Sequence, residues 1–361
     1  MKKTLLTICL VWMCFSLSAQ KIIDLSGKWS FSIDRQDNGE KEKWFSHTLN
    51  DCINLPGSMP EKLKGDEVTA KTQWTGSLYD SSYYYNPYME KYRKEGNIKF
   101  PFFLTPDKHY VGAAWYQKEV NIPADWKGER ILLFLERPHI ETTVWVNGQK
   151  TGMQNSLCVP HQYDITHYVR PGKCTITIRV DNRIKEINVG PDSHSITDQT
   201  QGNWNGIVGR ICLQTTPKTY FDDIQIYPEP EQKLARVKVV IKGTGTAKVK
   251  LSAESFNTDK KHIVPAIQQE IKLNKGVTET EMVLPMGNDM LLWDEFHPAL
   301  YKLKAEVTNG KKTEIKEIQF GMRRFEIKGK WFYVNGRKTQ LRGTVENCDF
   351  PLTGYAPMDV E

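Results

Sequence analysis

The sequence lacks most of the short motifs that mark a nucleotide, a metal or a catalytic nucleophile. It contains no GxSxG serine motif, no P-loop and no GxGxxG motif among its 361 residues. None of its seven cysteines are spaced as CxxC, and His161 and His167 have no third ligand near them in sequence. We therefore expect no cofactor and no metal site, and we interpret the histidines as surface or hydrogen-bonded residues.

The sequence also lacks a strong excess of one charge. The 49 Lys and Arg against 43 Asp and Glu give +6, which falls to +4 without Lys2 and Lys3. These charges are interspersed, so nucleic acid is not an expected partner. Five cysteines follow residue 19, an odd number that allows one disulfide without a disulfide framework, and we expect most of them to be buried.

The longest apolar run is confined to the beginning of the chain, at residues 5–17. Lys2 and Lys3 precede it and the small residues Ser18 and Ala19 follow it, which is typical of a signal peptide cleaved before Gln20. The run is short for a membrane anchor, the alternative interpretation. Residues 1–19 therefore predict an exported protein, periplasmic or secreted, with no membrane span after cleavage.

Strand patterns dominate the next 200 residues, and no long stretch has helical periodicity before residue 320. The Asn147-Gly148 pair is a strong signal for a two-residue hairpin turn, and Ile176, Ile178 and Val180 alternate onto one face. The clearest strand candidates are Trp29–Ile33, Ile131–Leu135, Thr143–Val146 and Thr175–Val180. Strands at this spacing predict an all-β sandwich.

Two further units are predicted after a boundary near residues 218–230. Residues 220–322 provide about seven strands in about 100 residues, which is typical of an immunoglobulin-like sandwich. Its expected strands are Val237–Ile241, Ala247–Leu251, Glu270–Leu273, Met282–Leu284 and Tyr301–Val307. From residue 323, Phe325–Ile327 and Trp331–Val334 with Asn335-Gly336 predict a hairpin, and Leu341–Gly343 predicts the start of another strand.

Residues 74–110 form an insert rich in tyrosine and phenylalanine without clear periodicity. A stretch of this length without a regular pattern is usually a functional loop or a packed one. The tyrosines could line a binding pocket, or the insert could pack on the sandwich, and the sequence leaves both interpretations open.

Several stretches occur in an order that resembles the family 2 glycoside hydrolases, the group of β-galactosidases, β-glucuronidases and β-mannosidases. These are Trp115–Val120, Arg130–Gly148, Tyr163–Thr166, Val180–Arg183, Trp204–Arg210, Trp293-Asp294, Pro298–Tyr301, Phe320–Phe325, Val334–Gly336 and Leu341–Gly343. The resemblance covers residues 24–361. It implies a jelly-roll sugar-binding domain at 20–219, the immunoglobulin-like sandwich at 220–322, and the first strand or strands of a truncated (β/α)8 TIM barrel at 323–361.

Together with the signal peptide, the resemblance implies the N-terminal portion of an exported retaining exo-β-glycosidase that hydrolyses terminal β-linked sugars in carbohydrate catabolism. Such enzymes use two carboxyl groups about 5–5.5 Å apart, and in this family both are glutamates on later barrel strands. The family acid/base follows an asparagine, and no Asn-Glu dipeptide occurs in this chain. We therefore carry over no catalytic residue and expect an inactive N-terminal portion; the alternative is a stand-alone carbohydrate-binding protein derived from such an enzyme.

Five residues are candidates for contacts with a carbohydrate. The loop 197–204 matches the family's sugar-facing loop, where Asp198 can bond sugar hydroxyls and Trp204 can stack on a sugar ring; alternatively, Trp204 is core and Asp198 caps a turn. After the first barrel strand the polar candidates are Arg342, which can instead form a structural pair, Asn347 and Asp349.

The loop after Gly343 departs from the family pattern. The family usually has an asparagine and a histidine before a proline here, whereas this chain has Thr344–Pro351 without a histidine. Ordinary galactosidase or glucuronidase specificity therefore does not carry over. The expected partner is a carbohydrate, and the sequence gives neither the sugar nor the oligomeric state.

Overall fold

A computed structural model describes residues 21–75, 82–98, 105–185, 198 and 202–345. The chain is mostly β-sheet, as the sequence predicts, and its described residues divide into two compact units, residues 21–216 with 343–345 and residues 217–342. None of the described helices is long and apolar enough to span a membrane. Each unit has its own hydrophobic core.

The first unit is a β-sandwich of two antiparallel sheets. One sheet has the order β1-β13-β8-β11 with β4 paired to β13, the other has the order β10-β9-β12-β7-β2-β3, and β5 and β6 form a separate pair. The strands are β1 (Ile22–Asp24), β2 (Gly27–Asp34), β3 (Asp51–Leu55), β4 (Gly57–Ser58), β5 (Asp66–Glu67), β6 (Lys108–His109), β7 (Ala113–Ile122), β8 (Arg130–Pro138), β9 (Glu141–Val146), β10 (Gln149–Asn155), β11 (His161–Asp164), β12 (Gly172–Asp181) and β13 (Gly206–Thr216).

The short helices of this unit lie in its connections. They are the α-helix α1 (Ser82–Tyr85) and the 3-10 helices Trp44–Ser46, Pro87–Arg93 and Ala124–Trp126. Within the aromatic insert, Tyr83 is buried, whereas Tyr85 and Tyr88 are more than four-fifths exposed. The described part of the insert therefore combines packed and solvent-facing tyrosines, and its predicted role in substrate selection stays a prediction.

Residue alternation explains the core between the two sheets. Ile176, Ile178 and Val180 lie on one face of β12 and are fully buried between the sheets, as predicted. On β7, Tyr116 faces this core, whereas Trp115 belongs to a second cluster of Leu49, Trp145 and the partly buried Trp44 and Phe45. The six-stranded sheet is therefore covered on both faces, which accounts for the burial of the whole of β9.

The predicted turn after β9 is confirmed. Asn147 and Gly148 both have positive φ, at 51° and 76°, and Gln149 pairs with Val146 across the turn. Asn and Gly tolerate this left-handed backbone at low cost, so the dipeptide fixes the register of the hairpin.

The expectation that most cysteines are buried is only partly right. Cys174 and Cys212 are buried, Cys52 and Cys158 are exposed, and all four are free. Cys52 lies on β3 and is exposed because β3 is the edge strand of its sheet and alternates its side chains between core and solvent.

The second unit begins with a seven-stranded sandwich, the number expected from the sequence. One sheet has the order β14-β15-β18 and the other β17-β16-β19-β20. The strands are β14 (Tyr220–Glu229), β15 (Leu234–Lys242), β16 (Gly245–Phe256), β17 (Ile263–Leu273), β18 (Val277–Pro285), β19 (Leu300–Asn309) and β20 (Lys312–Phe320). Every second residue of β15 and β19 is buried in the core.

A small three-stranded sheet follows in the same unit. Its strands are β21 (Phe325–Lys328), β22 (Trp331–Val334) and β23 (Arg337–Thr339). The predicted hairpin is confirmed, but the strand predicted from Leu341 is wrong, because residues 340–345 have no regular structure. The tight Asn335-Gly336 turn pairs Arg337 with Val334, so the returning strand begins and ends earlier than the apolar pattern indicates. The predicted barrel at 323–361 stays a prediction.

A buried ion network lies at the end of β12 in the first unit. Asp181 is fully buried and accepts hydrogen bonds from Arg179 at 3.0 Å, Arg183 at 2.6 Å and Lys185 at 2.8 Å. Arg179 and Arg183 also bond Asp37, and Lys185 also bonds Glu141. Burial alone would raise the pKa of Asp181, but hydrogen bonds from Arg183 and Lys185 outweigh it and hold this pKa far below its usual range.

We predict that Asp181→Asn lowers the free energy of unfolding by about 3–5 kcal/mol, because the buried Arg179 and the more exposed Arg183 and Lys185 all lose their shared carboxylate. Glu136→Gln is the matched control; it breaks the exposed pair of Glu136 with Arg210, which should contribute at most about 1 kcal/mol. Guanidinium unfolding followed by tryptophan fluorescence measures both. Equal midpoints for the two variants would show that the network does not stabilise the domain.

Candidate functional site

Polar side chains meet where four strands of the first sandwich begin or end. Asn205 precedes β13, and its amide nitrogen donates to Gly112 O at 2.9 Å, before β7, and to Val180 O at 3.0 Å, on β12. Its amide oxygen accepts the hydroxyl proton of Tyr116 at 2.7 Å. A buried amide that uses both its donor and its acceptor in this way pins the strand ends together.

Asn182 makes a similar link one residue after β12. Its side-chain oxygen accepts from the backbone N–H of Gly112 at 2.8 Å, and its side-chain nitrogen donates to Tyr110 O at 2.9 Å. Asn182 and Asn205 are both almost completely buried. They therefore form a rigid base for the segments that carry the candidate site.

Asp198 lies on this base and is only 3% exposed. Its Oδ2 accepts the backbone N–H of Thr75 at 2.5 Å, and its Oδ1 accepts the backbone N–H of Asn203 at 3.0 Å. His109 Nε2 lies 3.5 Å from Oδ1. One carboxylate therefore joins residues that are more than 120 positions apart, and each of its oxygens retains a lone pair for a further hydrogen bond.

The side chain of Asn203 extends this network to a buried histidine. Its amide nitrogen donates to Thr75 Oγ1 at 2.8 Å and to Asn182 O at 3.1 Å, and its oxygen lies 3.2 Å from His139 Nε2. The carbonyl of Asn182 can only accept, so the NH₂ group of Asn203 must face it. The oxygen of Asn203 therefore faces His139, whose Nε2 carries the proton.

His139 also supports the predicted stacking residue. Its ring stacks on Trp204 with 4.5 Å between centroids and 22° between planes. His139 is buried, whereas Trp204 is only partly buried, so part of the indole remains accessible. Burial lowers the pKa of His139 to about 4, although the hydrogen bond to Asn203 and the charge of Asp198 act in the opposite direction.

The structure brings together only two of the five predicted contact residues. Asp198 and Trp204 lie in the cluster just described, Arg342 is exposed in the second compact unit, and Asn347 and Asp349 lie outside the described residues. A sugar contact at each of the five stays a prediction. Sequence reasoning missed His109, His139 and Asn203, since only an isolated polar residue within an apolar stretch could have pointed to them.

No group of three His, Cys, Asp or Glu side chains within the described ranges lies close enough to hold a metal ion. His161 is fully buried on β11, and its Nδ1 lies 2.6 Å from Thr142 Oγ1. His167 is exposed. The chemistry available at the Asp198 cluster is therefore hydrogen bonding by a carboxylate together with stacking on an indole.

Comparison with known proteins identifies the class. The model of the glycosyl hydrolases family 2 sugar binding domain matches residues 22–217, and the model described as glycosyl hydrolases family 2 matches residues 219–323. This chain therefore belongs to glycoside hydrolase family 2. The first match contains the whole Asp198 cluster.

Individual relatives are distant and longer than this chain. A β-glucuronidase of Paenibacillus borealis is 23% identical over 93% of this chain and 51% of its own length. A β-galactosidase of Thermoanaerobacter pseudethanolicus is 25% identical over 73% of this chain and 35% of its own length. The chain thus spans about half or less of these relatives.

Solved structures show the same fold. A β-glucuronidase from an uncultured Clostridium species has a TM-score of 0.60 at 22% identity, over 89% of this chain and 48% of that one. The Ruminococcus gnavus β-glucuronidase in complex with D-glucuronic acid has a TM-score of 0.61 at 19% identity, over 90% of this chain and 50% of that one. At this identity the likeness establishes the fold alone.

The low pKa of His139 predicts an acid-sensitive first domain. The unfolded chain protonates this histidine near pH 6.5 and the folded chain only near pH 4. The contribution of neutral His139 to the free energy of unfolding is therefore fully present above pH 6.5 and is lost as the pH falls to about 4. The loss amounts to about 3 kcal/mol. His139→Gln keeps a donor for Asn203 but does not titrate, so unfolding measured from pH 7.5 to 4 should show a correspondingly smaller decrease.

The exposed His167 provides the control for this measurement, because His167→Gln should leave the decrease between pH 7.5 and 4 as in the unmodified chain. An equal decrease in the His139→Gln variant would contradict the assignment.

Proposed function

We propose that these domains serve a retaining exo-β-glycosidase that removes terminal β-linked sugars from glycans. The catalytic carboxyl groups would lie outside residues 1–361, since no Asn-Glu dipeptide occurs there. The observation that carries the proposal is the Asp198 cluster: a buried carboxylate with unused lone pairs beside a partly accessible indole, inside the region matched by the family's sugar-binding model.

The contribution of this chain is to hold the sugar rather than to cleave it. A carboxylate oxygen fixed by a backbone N–H is a strong, oriented acceptor for a sugar hydroxyl. An indole presents a flat apolar surface to the C–H groups of a sugar ring, and the His139 stack keeps that surface in place. Both groups are positioned before the ligand arrives, which reduces the entropy cost of binding.

Relatives named β-glucuronidase and β-galactosidase support the class of reaction. The sugar specificity in their names is not assigned to this chain, because the loop after Gly343 differs from the family pattern. The proposal therefore extends to a terminal β-linked sugar without naming it.

The test is kinetic. The protein expressed from the complete open reading frame is expected to hydrolyse at least one p-nitrophenyl β-glycoside with retention, whereas residues 20–361 alone give no turnover. Asp198→Asn should lower kcat/KM about 10- to 100-fold, because the sugar loses one hydrogen bond to a charged acceptor. Activity is compared at equal folded fraction, since Asp198 also supports the fold.

Asp164→Asn is the matched control. Asp164 likewise accepts a backbone N–H, that of Thr166, and pairs with Arg130, but it lies outside the Asp198 cluster. It should change stability without changing kcat/KM of the folded enzyme. Turnover by residues 20–361, or an equal effect of both substitutions, would sink the proposal.

We further propose that the protein is exported to the periplasm or beyond, on the strength of the basic start and the apolar run at residues 5–17. The protein recovered from its source should begin at Gln20. It should be found in the fluid released by osmotic shock or in the medium. N-terminal sequencing that finds Met1, or recovery only from the cytoplasm, would contradict export.

A further inference from the structure

A polar cleft of about 460 Å³ opens on the first domain, and we call it the Arg35 cleft. It lies between the end of β2, the β5–β6 pair and the segment 69–73, all within the described residues. Its lining includes Arg35, Asp66, Thr69, Thr72, Gln73 and His109. Its volume lies within the range of roughly 300–1,000 Å³ that is typical of small-molecule sites.

The floor of the cleft is rigid. His109 and Tyr110 are each 7% exposed, and the hydroxyl of Tyr110 donates to Ala113 O at 2.9 Å. Asn182 holds the carbonyl of Tyr110, and β6 pairs with β5 so that His109 lies opposite Asp66. Any ligand in the cleft therefore meets a surface already fixed by the core of the sandwich.

The wall of the cleft presents a donor and an acceptor side by side. Arg35 donates through Nε at 3.1 Å and through Nη2 at 2.5 Å, and both bonds end on Asp66 Oδ1. Asp66 Oδ2 and Arg35 Nη1 take no part in this pair. Both side chains are more than half exposed, so the pair can bond a ligand without being buried first.

Shorter polar side chains complete the wall. The hydroxyls of Thr69 and Thr72 accept the backbone N–H groups of Lys71 and Thr69, which leaves both O–H protons free to donate. Gln73 uses its amide nitrogen on Lys71 O and keeps its amide oxygen as an acceptor. The segment 69–73 thus fixes its own backbone and offers alternating donors and acceptors.

The charges of the cleft select against an ionic ligand. Arg35 is paired with Asp66, and Glu67 is paired with Lys108 beside the lining, so a phosphate or a uronate that approached Arg35 would also meet the carboxylate of Asp66. A pair of adjacent hydroxyls fits better, because one hydroxyl can donate to Asp66 while its neighbour accepts from Arg35. This arrangement is the chemistry of a neutral saccharide.

We propose that the Arg35 cleft is a second sugar subsite, which holds neutral sugar residues of the glycan other than the one bound at Asp198. His109 connects the two places, because it lines the cleft and its Nε2 lies 3.5 Å from Asp198 Oδ1. The proposal rests on the proposed function in one respect: it takes the ligand to be a carbohydrate. It predicts that the chain prefers oligosaccharides to single sugars.

The test measures binding by a protein of residues 20–361 with isothermal titration calorimetry. The probes are cellotetraose, xylotetraose, mannotetraose and β-1,4-galactotetraose, the corresponding monosaccharides, and tetragalacturonate as the acidic probe. At least one neutral tetrasaccharide should bind at least ten times more tightly than its monosaccharide. Arg35→Gln and Asp66→Asn should each weaken that binding at least tenfold, because each removes half of the donor–acceptor pair.

Arg210→Gln is the matched control, since it breaks another solvent-exposed Arg–carboxylate pair, outside the cleft, and should leave binding unchanged. Unfolding midpoints measured for each variant separate lost binding from lost structure. The proposal is overturned if no neutral tetrasaccharide binds the folded chain, if tetragalacturonate binds more tightly than all of them, or if Arg35→Gln and Asp66→Asn bind as the unmodified chain does.

The two proposals fail in different ways. If tetrasaccharide binding depends on Asp198 but not on Arg35 or Asp66, the subsite is wrong and the proposed function stands. If binding depends on Arg35 and Asp66 while the protein from the complete open reading frame hydrolyses no β-glycoside, the subsite stands and the proposed function is wrong.

Discussion

The carboxylate of Asp198 is the interaction on which the candidate site depends. By accepting backbone N–H groups from Thr75 and Asn203, it ties two distant segments of the first domain to one point. Burying such a charge is costly unless hydrogen bonds satisfy it, and two oriented N–H donors meet much of that requirement. Once Asp198 fixes Asn203, the amide of Asn203 positions His139, and His139 positions the indole of Trp204.

This arrangement separates the side chains that support the structure from those that keep polar atoms or surface available for a ligand. Asn182 and Asn205 use their donors and acceptors on the protein itself, so they hold strand ends and have little left for a sugar. Asp198 keeps lone pairs, and Trp204 keeps accessible surface. In the Arg35 cleft the same division recurs, with a buried floor of His109 and Tyr110 beneath an exposed Arg35–Asp66 pair. Rigid support beneath available polar groups is what low-cost recognition of a hydroxylated ligand requires.

Local signals in the sequence predicted most of the fold. Alternation placed Ile176, Ile178 and Val180 in the core, and the two Asn-Gly pairs fixed both hairpins through their positive φ angles. Strand β20 was not predicted, because its mostly polar residues bury little surface and its place comes from pairing with β19. The strand expected from Leu341 failed because the register set by Asn335-Gly336 outweighed the apolar pattern. The site was harder to predict than the strands. His139 and Asn203 are 64 positions apart, so only the topology of the sandwich brings them together.

Asp198 and Trp204 are the residues that we propose receive a sugar. A crystal structure of the protein expressed from the complete open reading frame, with a bound monosaccharide inhibitor, measures this directly. The account predicts a sugar hydroxyl within about 3 Å of an Asp198 carboxylate oxygen, the distance of a hydrogen bond, and a sugar ring against the accessible part of Trp204. A sugar that binds elsewhere, while Asp198 bonds only Thr75 and Asn203, would contradict it and leave this carboxylate with a structural role alone.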